Sequence, residues 1–230
     1  MAMLDELRTL LQRSGADIVG IADLNEIPAD ARDGFPFGVS IAVALNPQII
    51  AEIKDGPTKQ YHEEYERVNK LLDMIGHHAV QFLEEHGHKA KWFPATSYSI
   101  DPKTLSTILP HKTTATRAGL GWIGKCALLV TKAYGSAIRI TTVLTDAPLP
   151  ISESVDASLC GECTSCVDVC PGRTLSGINW EKGLHRDEFY DAFTCQKTAL
   201  ELTMQRVGVK TTLCGICIAA CPWTQKYVKR

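Results

Sequence analysis

Eight of the nine cysteines in this 230-residue chain lie in its last third, and their spacing dictates what that part must fold around. Cys160, Cys163, Cys166 and Cys170-Pro171 form a C-x2-C-x2-C-x3-C-P run. Three thiolates so close in sequence wrap one 4Fe-4S cluster, while the fourth cysteine turns away to ligate a second. Cys214, Cys217 and Cys221-Pro222 form another group, in which Thr211 stands where a first cysteine would be. Cys195 is the only nearby cysteine that replaces it. Reciprocal ligation then predicts one cluster on Cys160, Cys163, Cys166 and Cys221, and a second on Cys170, Cys195, Cys214 and Cys217.

Zinc accounts for isolated C-x2-C pairs, but not for three cysteines in succession at that spacing or for two Cys-Pro endings. A disulfide framework fits poorly with an odd cysteine count and an N-terminus unlike a secretory signal. Cys126 stands alone upstream, beside Ala127-Leu128-Leu129-Val130, and reads as a small buried hydrophobe. The formal net charge of −2 gives no electrostatic case for nucleic acid or anionic lipid, and no apolar run is long enough to span a bilayer. The expectation is a cytoplasmic protein without a membrane or nucleic-acid partner.

Leu4, Leu7, Leu10 and Leu11 recur at helical spacing up to Ser14-Gly15, and strands are expected at residues 18–22 and 38–45. A long helix is expected from about Lys59 to His86, capped by Thr58 and stopped by Gly87. Its buried stripe would be Tyr65, Val68, Leu72, Ile75, Ala79 and Phe82. A strand near 89–93, an irregular stretch to Pro110 and a helix from His111 to Ala118 follow. Residues 127–131 and 137–144 read as a hairpin turning at Tyr134-Gly135-Ser136. Asp146 to Pro150 closes this unit, giving an α+β domain over 1–150 and a cysteine-rich domain over 151–230, with helical sequence near 187–207.

The segment Gly119-Leu120-Gly121-Trp122-Ile123-Gly124-Lys125-Cys126 satisfies G-x-G-x-x-G and misses a P-loop by its last residue. Both motifs need a strand before the loop and a helix after it, and here the predicted order is the reverse. A radical S-adenosylmethionine motif is absent as well. A helix stop needs one glycine; three around a Trp and a Lys of exposed type point to close backbone approach by a ligand.

His111 to Ala118 running into GLGWIGK, then ALLVT and Thr142 to Leu149, resembles epoxyqueuosine reductase. The borrowed cysteine and the Cys221-Pro222-Trp223 ending carry the same resemblance. It is similar in layout to the reductive dehalogenases too. The resemblance implies a nitroreductase-like domain that binds cobalamin, joined to a small bacterial-ferredoxin-like domain with two 4Fe-4S clusters that feed it low-potential electrons. Gly119, Gly121, Trp122, Lys125 and His111 are the residues it offers for the cofactor. In that family a proton-donating aspartate precedes the glycine loop by about a dozen residues. Leu105 stands there, and Asp101-Pro102 is displaced from it, so no catalytic residue is singled out. The chain also stops at Arg230, short of the family's C-terminal helical repeats, and is expected to be a short relative that does not act on tRNA.

These features favour an iron–sulfur oxidoreductase, expected to depend on cobalamin and to act on a small molecule with a low-potential electron-donor protein as partner. The alternative is an electron-transfer or reactivation protein that reduces a partner's corrinoid cofactor. A flavin in place of cobalamin is a third possibility.

Overall fold

A computed structural model describes residues 2–96 and 100–230. In chain order the elements are α1 (Ala2–Arg13), β1 (Ile18–Asp23), β2 (Phe37–Ala44), α2 (Pro47–Ala51), α3 (Lys59–Glu85), β3 (Ala90–Phe93) and α4 (His111–Arg117). They continue with β4 (Trp122–Ile123), β5 (Leu129–Val130), β6 (Ile138–Thr145), α5 (Ser165–Asp168), α6 (Arg186–Phe189), α7 (Ala192–Arg206), α8 (Ile216–Ala220) and α9 (Pro222–Val228). The chain is a mixed α and β protein, as the sequence pattern implies. Part of the irregular stretch expected before Pro110, residues 97–99, lies outside the described residues.

Two compact units divide the chain, and neither is continuous in sequence. The first comprises residues 1–43, 67–121 and 139–155, and the second 44–66, 122–138 and 156–230. The first holds most of a sheet in the order β1-β2-β6-β3, with β1 antiparallel to β2 and β3 antiparallel to β6. Strand β2 is buried along both faces, from Gly38 to Val43, which is why its sequence is continuously apolar and small instead of alternating. Helix α4 packs on β1 so closely that a Cβ at Gly20 would lie 2.2 Å from the Ala118 carbonyl oxygen. Only glycine permits that approach.

Helix α3 starts where Thr58 Oγ1 accepts the Tyr61 N–H and stops at Gly87, whose φ of 83° completes a Schellman motif with His88 bonded back to Leu83. Its buried stripe runs through Val68, Leu72, Ile75 and Ala79 and is completed by Tyr61 and Leu83. Tyr65 and Phe82, expected within it, are only half-buried at its margin.

The expected hairpin between residues 127–131 and 137–144 does not form. The turn exists, with Thr131 and Gly135 exchanging backbone hydrogen bonds, but the arms diverge beyond it. Strand β5 pairs with β4, matching Trp122 to Val130 and Ile123 to Leu129, while β6 joins the large sheet. Local sequence identified both arms as strands, but strand pairing is a long-range choice that it does not reveal.

Candidate metal centres

The second unit folds the cysteine-rich sequence around two cavities. The first, about 90 Å³, is lined by Cys160, Cys163, Cys166 and Cys221, with Lys125, Cys126 and Trp223 among its other walls. Cys221 arrives there as the N-cap of α9, where Pro222 occupies the first helical turn and loses no hydrogen bond by lacking an N–H. The second cavity, about 80 Å³, is lined by Cys170, Cys195, Cys214 and Cys217. Cys195 is delivered by α7, whose start is fixed by the Asp191 carboxylate accepting the Thr194 N–H at 3.0 Å. Cys214 and Cys217 flank the turn into α8, where Gly215 has a φ of 86° and a Cβ would lie 2.6 Å from Ile53 Cδ1. The structure brings the expected ligand cysteines together in these two sets, with Cys126 in the wall of both cavities.

The donor chemistry suits clusters. All nine cysteines are free thiols, and among the described residues no group of three His, Cys, Asp or Glu is gathered tightly enough for a single ion. Four sulfurs spread around a cavity suit a larger inorganic core. Several groups donate toward these sulfurs. Trp122 Nε1–H lies 3.5 Å from Cys160 Sγ, and the Thr174 N–H lies 3.4 Å from Cys170 Sγ, with its hydroxyl at 3.3 Å. Donors of this kind stabilise cluster sulfurs and set reduction potential. Tyr190 and Cys195 line the second cavity together.

Cys126 is buried, as expected of a lone cysteine beside an apolar run, but its neighbours are not simply apolar. It lines both cavities, with Cys166 in the wall of the first. Interaction with Cys126 holds the Cys166 thiol down at about 7, and the same interaction raises Cys126 well above the usual thiol range. Burial pushes Cys214, Cys217 and Cys221 upward. Metal loading at these cavities therefore has to displace protons.

The residues singled out around the glycine loop have other employment. Trp122 and Lys125, read as exposed, are 1% and 5% exposed; Trp122 meets Trp223 edge-on at 5.2 Å and Lys125 faces the first cavity. Gly119, with φ 69°, is the left-handed residue of a Schellman motif in which Leu120 N–H bonds to Ala115 O and Gly119 N–H to Thr116 O. Gly121, two residues on, is buried. His111 is held in the first unit between Thr142 Oγ1 at 2.8 Å and the Pro94 carbonyl at 2.9 Å. The carbonyl can only accept, so Nε2 carries the proton and Nδ1 accepts from Thr142. The loop does follow a helix and precede a strand, so it lacks the context of a nucleotide-binding turn.

Burial lowers the His111 pKa below its ordinary 6.5. The unfolded chain then binds a proton at a pH where the folded chain does not. Stability from this site is complete above 6.5 and is lost as pH falls below it. Thermal melts between about pH 7 and 5 should show that acid slope, and His111→Gln should flatten it.

Residues 159–224 match the family described as the 4Fe-4S double cluster binding domain. With the two cavities, this defines a double-cluster iron–sulfur protein. The epoxyqueuosine reductase of Pseudomonas aeruginosa is 32% identical over 117 residues, covering 50% of this chain and 32% of that protein. A reductive dehalogenase, solved to suggest a mechanism for B12-dependent dehalogenation, superimposes with TM-score 0.69 at 18% identity, covering 95% of this chain and 31% of the other. An epoxyqueuosine reductase solved with an epoxyqueuosine-modified tRNA stem loop superimposes with TM-score 0.62 at 20% identity, covering 97% and 66%. The chain is thus an epoxyqueuosine reductase-like iron–sulfur protein, and it spans 29% to 58% of the length of the curated relatives it matches. Among the described residues no helix is long and apolar enough to cross a membrane.

Proposed function

We propose that this chain is an iron–sulfur reductase that passes single low-potential electrons through two 4Fe-4S clusters to a bound acceptor. The first cluster is assigned to Cys160, Cys163, Cys166 and Cys221, and the second to Cys170, Cys195, Cys214 and Cys217. The observation that carries this reading is the pair of cavities, each lined by Cys126 and by four further free cysteines drawn from both sequence groups. Shared use of the two groups locks the ends of the cysteine-rich segment together, so cluster assembly and folding of that segment are one event.

The reading keeps residues 151–230 as the ferredoxin-like electron-carrying part and takes a nitroreductase-like part that binds acceptor or substrate from residues 1–150, of which 44–66 and 122–138 belong to the second compact unit. Cobalamin would supply a metal-centred nucleophile, and it enters the proposal through the fold likeness to the B12-dependent dehalogenase. The residues named for it offer no cradle: His111, Trp122 and Lys125 are committed to internal contacts, and Gly119 closes a helix. No step is assigned through that group. A small-molecule substrate is retained. The tRNA-bound relative makes an RNA stem loop a second substrate to test, against the expectation from net charge.

One observation favours the alternative of electron delivery to a partner's cofactor. Asp101 uses its carboxylate to accept the Lys103 N–H at 2.8 Å, and Leu105 adopts a left-handed φ of 51°, so this turn presents no aspartate at the position of a proton donor. Electron transfer alone needs none.

Anaerobic reconstitution is expected to load about eight irons per chain, with both clusters reducible at low potential. Incubation with cobalamin, followed by gel filtration and cobalt analysis, then tests the cofactor. Turnover of epoxyqueuosine-modified stem loop, or of a halogenated phenol, by the reduced protein would establish a reductase. Full iron loading with reduction of an added corrinoid protein but neither substrate would favour the carrier. Loading of only one cluster would overturn the ligand assignment.

A further inference from the structure

We infer that Lys125 is the counter-charge of the first cluster: its ammonium, buried in the wall of that cavity, has the anionic iron–sulfur core for its partner and holds that core at a higher reduction potential. The inference rests on the ligand assignment proposed above and gives a role to the cation that ends the glycine loop.

Lys125 is 5% exposed, and it lines the first cavity beside Cys160, Cys163, Cys166 and Cys221. Among the described residues its ammonium finds no carboxylate and no hydrogen-bond acceptor. A buried charge is costly unless it is paired. The protein supplies no anion here, but the cavity is built to hold one. Four thiolates outweigh the positive charge of the iron–sulfide core, so a loaded cluster is an anion, and an added electron makes it more so.

The turn that joins β4 to β5 fixes where Lys125 sits. Gly124 donates its N–H to the Leu128 carbonyl at 2.9 Å, and its own carbonyl accepts the Ala127 N–H at 2.8 Å. A Cβ at Gly124 would lie 3.6 Å from Cys160 Sγ, and Cys126, the next residue after Lys125, lines the cavity too. The lysine is therefore bracketed by two residues that abut the cysteines. Trp122, at the start of the same arm, donates its Nε1–H to Cys160 Sγ at 3.5 Å. The cation and this dipole act in one direction, because both favour the reduced, more negative core. Lys125 belongs to the wall of the first cavity and not to that of the second, so the second cluster should respond far less.

The test uses the full chain, reconstituted anaerobically, with Lys125→Met, Lys125→Gln and Lys125→Arg. Each is compared with the parent by iron analysis and by a dithionite titration followed by electron paramagnetic resonance. The signal retained by a Cys195→Ser companion marks the first cluster. Both neutral variants should shift that cluster to a more negative potential, by similar amounts, and leave the other nearly in place. Lys125→Arg, which keeps the charge, should stay close to the parent. Loss of the first cluster from the neutral variants alone would also support the inference, since the anion then needs its counter-charge to assemble. An unshifted first cluster in either neutral variant would overturn it. So would the same shift, or the same loss of iron, in Lys125→Arg, because shape and not charge would then be what matters. A parent chain that loads one cluster, or a Cys195→Ser chain that keeps both, would overturn the ligand assignment and this inference with it.

Discussion

Cys195→Ser should reconstitute with about half the iron of the parent chain, retaining one cluster and losing the other. Cys195 lies outside both compact cysteine groups, yet α7 carries it into the second cavity beside Cys170, Cys214 and Cys217. A serine hydroxyl at that position is a far weaker iron ligand than a thiolate. The three remaining cysteines come from two chain segments and α8, so the cavity loses the tie between them along with the ligand. The surviving signal should be that of the first cluster, one of whose sulfurs receives the Trp122 N–H. The second cluster's distinctive donor, Thr174, should leave no spectroscopic trace. Metal loading is also folding free energy, so thermal stability should fall with the iron. Full iron and two intact signals in Cys195→Ser would remove Cys195 from the assignment and send the search to Cys126.

The features that could be read in the sequence are those whose cause is local. Gly15 and Gly87 mark helix stops because a left-handed residue is needed there, and both have positive φ. The apolar run of β2 and the period of α3 are likewise local signals, as is the cysteine spacing that groups sulfurs by the reach of the chain. The departures arise where distant partners decide. Tyr61 and Leu83 replace Tyr65 and Phe82 in the buried stripe of α3 because the neighbours choose among faces of nearly equal apolarity. Trp122 and Lys125 carry polar atoms and so read as exposed, but the cysteine layer buries them; Trp122 has a sulfur for its N–H. Cys126 looked inert because spacing identifies ligands and says nothing of a thiol that reaches the same layer from a separate hairpin. The three glycines of the loop, read together as one device, serve different ends: Gly119 stops a helix, while Gly124 makes room for sulfur.

A last expected result turns on Gly135, where two demands on glycine coincide. Its φ is 58°, and a Cβ there would lie 2.2 Å from the Thr224 backbone nitrogen and 2.4 Å from its hydroxyl oxygen. The left-handed conformation alone costs a β-carbon about 1–2 kcal/mol. The collision is with backbone, so no side-chain rotation relieves it, and overpacking adds about 1–3 kcal/mol. Gly135→Ala should therefore lower the melting temperature by roughly 5–15 °C, given about 2–4 °C per kcal/mol for a chain of this size. Gly34→Ala provides the comparison: its φ is 76°, but a Cβ there meets nothing within 4 Å, so only the conformational term applies. The two variants should differ in iron as well as in melting temperature. Thr224 lies in α9, its hydroxyl accepts the Ser136 N–H at 3.1 Å, and the same helix begins at Cys221. Pushing Thr224 away moves the fourth sulfur of the first cavity, so Gly135→Ala should lose iron from that cluster first, while Gly34→Ala keeps its full complement. Equal melting temperatures and iron contents would show that α9 yields to the added carbon, and that Cys221 is not held in register by the turn at Gly135.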